Sequence, residues 1–405
     1  MAGQLRDPVR HMLESVLDDV RALSTGAVAS YIPELARVDP ERLGAALVST
    51  HGVVHETGDS DAEFTIQSVS KPFVFALAVD ALGLAEVTRH VGLEPSGEPF
   101  NAISLEATSG RPLNPMINAG AIVTTSLMRG DTAEEKFALV RAGLERFAGR
   151  DLTVDDDVFS SEASTGDRNR ALAYLTRSAG TLASTAEVAT TAYFRQCSLT
   201  VNARDLAIMA ATLATGGVNP VTGERVISED AARWTMAVMT SCGMYDASGD
   251  WLVRVGLPAK SGVGGGIVAV QPGQFGIGTF SPRLDERGNS VRGVATLELL
   301  SERHGLHMLQ HHGAPLSPIA SLERDGADTV AMLRGEIFFA GAEEVLTRLS
   351  PFVSDEGCLV LDFSGVTRVG DGSKPVFATA PTLVGLAPDG HARVVVRDPE
   401  GVLGD

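Results

Sequence analysis

The 405-residue sequence predicts an α+β protein, a helical region combined with an antiparallel sheet, followed by a small α/β unit. Three observations carry this. Apolar residues recur at helical spacing through much of the first two-thirds of the chain. Two β-rich runs, Gly266–Val270 and Gln274–Gly278, flank Pro272-Gly273, which reads as a hairpin. From Pro315-Leu316-Ser317-Pro318 onward, strand and helix patterns alternate, as in a sheet covered by helices. The expected domains are therefore 1–314 and 315–405.

The elements follow in order. Residues 8–22 form a helix with Val9, Met12, Val16 and Val20 on one face. Short strands at 43–49 and 51–57 lead to a helical pattern from Lys71 to about Val87. In 133–148, Phe137, Val140, Leu144 and Phe147 make an amphipathic helix. Asn202 caps a helix running to Ala214, stopped by Gly216-Gly217. Residues 293–311 are again helical. The second unit is read as strand 328–334, helix 341–350, strand 357–363, helix 375–386 and strand 391–397.

Composition removes several function classes. Hydrophobic residues at 44% and charged residues at 21% are ordinary for a soluble globular protein. A net charge of −18, with no Lys/Arg-rich run, argues against nucleic acid. No apolar run is long enough to span a bilayer, and the acidic amphipathic N-terminus lacks a signal-peptide core, so the expected location is cytoplasmic, away from the membrane. Cys197, Cys242 and Cys358 are widely spaced and odd in number, which fits reduced thiols.

Candidate chemistry centres on Ser68-Val69-Ser70-Lys71. On a helix, Ser68 and Lys71 share a face, so the lysine amine can reach the serine hydroxyl. Burial lowers a lysine pKa and leaves a neutral amine able to act as base. Pro72 suits a first helical turn, which puts Ser68 near a helix N-terminus. Far downstream, Lys260-Ser261-Gly262-Val263-Gly264-Gly265-Gly266 supplies a second lysine and a glycine-rich strand able to approach closely. Together these suggest acyl transfer by a serine nucleophile. His304, His307, His311 and His312 crowd one segment, but no carboxylate or cysteine joins them in a ligand spacing, so no metal site is expected.

The motifs together resemble the serine-dependent glutaminases, a family with the β-lactamase and penicillin-binding-protein fold. The matching segments run in order: Tyr31-Ile32-Pro33-Glu34-Leu35, Gln67-Ser68-Val69-Ser70-Lys71, Asn114 to Ala121, Ser161-Glu162 with Asn169, Tyr193 to Ser198, Cys242 to Asp246, Lys260 to Gly266, Ser281 to Asp285 and Gly288 to Gly293. The resemblance implies hydrolysis of L-glutamine to L-glutamate and ammonia without metal or organic cofactor. It implies Ser68 as nucleophile and Lys71 as its base, with Tyr31 and Tyr245 handling protons near the serine. It makes the N–H groups of Ser68 and Val263 the oxyanion hole, and Asn118, Glu162, Asn169 and Tyr193 the holders of the substrate's amino-acid end. Glutamine is a zwitterion, and a carboxylate at Glu162 suits its ammonium while neutral donors suit its carboxylate. A homo-oligomer is also implied.

Residues 319–400 resemble the STAS domain through Leu333 to Phe339 and Leu359 to Val369. That implies a regulatory surface for a protein partner. Asp371-Gly372-Ser373 departs from the family's usual adjacent aspartate and hydroxyl, so Ser373 is expected to cap a helix and not to carry phosphate. The rival readings are a β-lactamase or peptidase of the same fold, and a glutamine-sensing scaffold acting through the second unit.

Overall fold

The hairpin about Pro272-Gly273 forms and lies within a five-stranded antiparallel sheet. A computed structural model of the chain describes residues 7–97, 105–310, 316–354, 356–388 and 390–404. Across the sheet the strands run Val54–Gly58, Gly44–Ser49, Phe275–Phe280, Gly266–Gln271 and Ala259–Ser261. Leu47 pairs with Ile277 and Val268 with Gly278. Alternation then sorts the side chains onto two faces. Ile267, Ala269, Ile277 and Leu47 meet the helices Pro8–Val20 and Val291–His304 through Leu13, Val16, Leu297 and Leu300. Val268, Val270 and Phe280 face the core of the helical region.

On that second face the helix Ala203–Ala214 lies almost in backbone contact with the sheet. A Cβ on Gly276 would stand 2.2 Å from the Ala211 amide nitrogen, and one on Gly278 would stand 2.1 Å from the Ala203 carbonyl oxygen. Buried Ala203, Ala207 and Ala211 complete the small-on-small contact. Asn202 caps this helix, accepting from the Asp205 amide while Asp205 accepts from the Asn202 amide.

The helical region contains the predicted helix Ala133–Ala148, opened by a Thr132/Glu135 capping box and closed at left-handed Gly149. The helix from Lys71 ends at Leu82, not near Val87; Gly83 at φ 81° breaks it and a second helix, Leu84–His90, follows. The helix Val291–His304 also stops short of position 311, because Gly305 turns left-handed at φ 63°. His307 Nε2 lies 2.9 Å from the Leu252 carbonyl, and His311 and His312 fall outside the described residues. Among the described residues no cluster of three or more His, Cys, Asp or Glu is arranged to hold a metal ion. None of the described helices is long and apolar enough to cross a membrane, and the three cysteines are free thiols.

The chain divides into two compact units, residues 1–310 and 311–405. The second holds a four-stranded sheet ordered Val394–Arg397, Leu359–Val369, Asp328–Ile337 and Ile319–Asp325. The first three strands are parallel, linked through helices Phe339–Leu349 and Lys374–Val384. Ile319–Asp325, which the sequence reading did not assign, pairs antiparallel at the edge. Most of its residues are exposed and four are Ser, Glu, Arg and Asp, so it carries no apolar alternation to read. Ser373 stands at the N-cap position of Lys374–Val384 but its side chain makes no capping hydrogen bond, which corrects the expected role.

Gly278→Ala forces the strand away from Ala203–Ala214. Overpacking of this kind costs about 1–3 kcal/mol. Urea unfolding of the variant should show a lower midpoint at unchanged m-value.

Candidate active site

The short strand Phe64–Thr65, paired to Thr200–Val201, delivers the chain to Gln67, whose backbone is left-handed at φ 48°. A 3₁₀ turn, Gln67–Ser70, carries Ser68 and leads into the helix Lys71–Leu82 with Pro72 in its first turn. Among the described residues only one other non-glycine has positive φ, Tyr245 at 57°. Each such residue costs on the order of 1 kcal/mol or more, and the surrounding structure must hold it. Glycine makes the hold possible on one side. A Cβ on Gly262 would stand 2.9 Å from Val69 Cγ2, and one on Gly264 would stand 2.7 Å from the Thr65 carbonyl oxygen. The end of strand Ala259–Ser261 therefore packs directly on the serine turn.

Two lysines are buried here with neutral partners. Lys71 Nζ donates to Asn118 Oδ1 at 2.6 Å, and Asn118 Nδ2 donates to Asn169 Oδ1 at 3.0 Å. Because an amine donates here, Asn118 must present its oxygen to Lys71 and its NH₂ to Asn169. Burial pulls the Lys71 amine down to about 8, against the opposing pull of the Glu162 charge. Lys260 Nζ donates to the Ser261 carbonyl at 2.6 Å and sits 4.0 Å from the Tyr245 ring centroid. Burial first, then the charge of Lys71, push its pKa well below the usual lysine range. The Tyr245 hydroxyl donates to the same Ser261 carbonyl at 3.2 Å. Its phenol is pushed up to about 12 by burial, partly offset by hydrogen bonds with Ser68 and Ser261.

A cavity of about 330 Å³ opens over the serine. Tyr31, Ser68, Asn118, Glu162, Asn169, Tyr193 and Val263 all line it. Glu162, from the helix Asp156–Thr165, is buried, and burial raises its carboxyl pKa against the hydrogen bonds from Tyr31 and Gln67. The Tyr31 hydroxyl donates to Glu162 Oε1 at 2.8 Å, although the residue as a whole is 50% exposed. Burial and the Glu162 charge push the Tyr31 phenol well above its ordinary value. Tyr193 is buried beneath, its phenol also raised chiefly by burial. Such a cavity gathers a buried carboxyl, a serine hydroxyl and, through Asn118, a buried lysine amine.

Every site residue named from the sequence lies in or against this cavity, Lys71 through Asn118 and Tyr245 through Ser68. The two tyrosines divide, however. Tyr245 meets Ser68, whereas the Tyr31 hydroxyl is engaged by Glu162 and Gln67. Asn118 is the first residue of the helix Asn118–Ser126, whose N-cap is Ile117, so its amide is left for Lys71 and Asn169. Gln67, Thr165, Gly166, Arg168 and Cys197 also line the cavity and were not singled out. All five sit one to four residues from a singled-out neighbour, and that adjacency was the available signal. The Cys197 thiol, pushed to about 12 by burial, stays protonated near neutral pH.

A family model described as glutaminase matches residues 26–309. A glutaminase of Corynebacterium glutamicum is 41% identical over 407 residues, covering 98% of this chain and 96% of that protein. Glutaminase 1 of Bradyrhizobium diazoefficiens is 52% identical over 304 residues, 75% of this chain but 49% of its own, so the chain spans about half the length of that relative. The crystal structure of Mglu superposes with a TM-score of 0.88 at 44% identity, covering 98% of this chain and all of that one.

Since the Glu162 charge holds the Lys71 pKa up, Glu162→Gln should lower it below about 8. Titration of isotope-labelled lysine by NMR reads the shift directly. A Lys71 pKa that rises or stays put would contradict the assignment.

Proposed function

The chain belongs to the glutaminase family and is an enzyme that hydrolyses L-glutamine to L-glutamate and ammonia, and we propose that it works through an acyl-enzyme on Ser68. The observation that carries this mechanism is the Lys71 amine, fully buried, pulled down to about 8 and set three residues after a serine that lines the cavity. Near neutral pH an appreciable fraction of that amine is free to accept a proton.

In this reading neutral Lys71 takes the Ser68 proton as Oγ attacks the carboxamide carbon. The Ser68 and Val263 N–H groups hold the resulting oxyanion, a type of contact typically worth about 3–4 kcal/mol per donor. Tyr245, hydrogen-bonded to Ser68, hands its proton to the departing nitrogen and takes the one held by Lys71 in exchange, so ammonia leaves and Lys71 is neutral again. Water then attacks the γ-glutamyl ester, neutral Lys71 taking its proton and returning it to Ser68 Oγ as the ester bond breaks, and glutamate is released. Glu162 holds the α-ammonium, steadied by Tyr31, while Asn118, Asn169 and Tyr193 orient the amino-acid end.

The fold assigned to residues 1–314 is of the β-lactamase and penicillin-binding-protein type, supported by an antiparallel sheet with a helical region beside it. Residues 315–405 are read as a STAS-like regulatory domain for a protein partner, supported by three parallel strands joined through helices. A cytoplasmic homo-oligomer completes the reading.

Ammonia and glutamate release from L-glutamine should be lost in Ser68→Ala by about a thousandfold or more. L-asparagine and nitrocefin, assayed alongside, should be poor substrates; preferential turnover of nitrocefin would favour a β-lactamase, and glutamine binding without turnover by wild type a sensor. The wild-type kcat/KM should fall as pH drops through about 8, because protonated Lys71 cannot act as base. Glu162→Gln should raise KM by about tenfold or more with a smaller change in kcat.

A further inference from the structure

Beneath the serine turn runs a buried hydrogen-bonded chain that takes no part in the steps above. Thr125 Oγ1 donates to Gln196 Oε1 at 2.8 Å, Gln196 Nε2 to Ser70 Oγ at 2.8 Å, and Ser70 Oγ to the Gln67 carbonyl at 2.7 Å. Thr125, Gln196 and Ser70 are fully buried and come from three different elements. The direction of the chain is set by its end. The Gln67 carbonyl only accepts, so the single Ser70 proton goes there, and Gln196 must turn its NH₂ toward Ser70. Its Oε1 then faces Thr125, whose one proton lies between Gln196 and the Ala121 carbonyl at 2.9 Å.

The Gln67 carbonyl and the Ser68 N–H belong to one planar peptide, and no described peptide bond is cis. In a trans peptide the two groups point in opposite directions. Holding the carbonyl down toward Ser70 therefore aims the Ser68 N–H up toward the cavity. The hydrogen bond also polarises the peptide and strengthens its N–H as a donor. Gln67 is left-handed at φ 48°, so its peptide needs such a hold to keep that orientation.

We propose that Ser70 and Gln196 are positioning residues that aim and strengthen the Ser68 N–H as an oxyanion donor. This rests on the reading of Ser68 as nucleophile. The donor acts on charge that exists only in the transition state, so its misalignment lowers kcat and leaves ground-state binding alone.

The test compares Ser70→Ala, Gln196→Met, Thr125→Val and Ser68→Ala with wild type, measuring kcat and KM for L-glutamine, inhibition by L-glutamate, and thermal unfolding. Ser70→Ala and Gln196→Met should each lose about tenfold to a hundredfold in kcat, with KM and glutamate inhibition within about twofold. Thr125→Val, which leaves both the Gln196 to Ser70 and the Ser70 to Gln67 bonds in place, should lose less. Lower melting temperature with wild-type kcat in Ser70→Ala, or a rise in KM at constant kcat, would make the chain purely structural and overturn the proposal. Should Gln196→Met fail to fold, Ser70→Ala decides, since it removes a single oxygen. Retained activity in Ser68→Ala would instead overturn the nucleophile, a separate outcome.

Discussion

A single sharp bend, the left-handed backbone at Gln67, is what the rest of the site depends on. It is where a short strand turns into the helix that carries Lys71, and it leaves Ser68 facing the cavity. Nothing local favours that conformation in a glutamine, so both parts of the first unit hold it from outside. The sheet contributes Gly262 and Gly264, which lack the Cβ that would collide with Val69 and the Thr65 carbonyl. The helical region contributes Gln196 and Thr125, tied through Ser70. A site assembled at the seam between two packed halves keeps its geometry only while both halves stay folded.

Electrostatics follows from the same enclosure. Two lysine amines are buried together, and the nearest partners of each are neutral: an asparagine oxygen for Lys71, a backbone carbonyl and an aromatic face for Lys260. A carboxylate in direct contact would hold either lysine protonated. Amide and carbonyl oxygens satisfy the amine's hydrogen bonds without contributing a full opposing charge, so burial prevails and the amines are driven toward neutrality. Glu162, which lines the same cavity, moderates the fall at Lys71, while burial raises its own carboxyl pKa.

Much of the fold was legible because strong local signals agreed with tertiary demands. The Ala133–Ala148 helix carries both its apolar stripe and its capping box, and the 266–280 hairpin has its Pro-Gly turn. The misreadings have two causes. Gly83 and Gly305 end helices whose apolar pattern continues past them, and the edge strand Ile319–Asp325 has too little buried surface to show a period. Where burial does not act on a segment, hydrophobic pattern says little about it.

By itself the sequence determined the chemical inventory: a serine three residues before a lysine, a distant glycine-rich strand, a carboxylate, and amides and tyrosines in a set order. Covalent spacing and side-chain chemistry are enough for that. Tertiary structure alone decided which groups meet. It paired Lys71 with Asn118, sent Tyr31 to Glu162 and Tyr245 to Ser68, and brought Gln196 under a serine turn more than a hundred residues earlier. The reason is physical: a hydrogen bond depends on position to within a fraction of an ångström and a pKa on burial, and both arise only when distant segments pack around the same space.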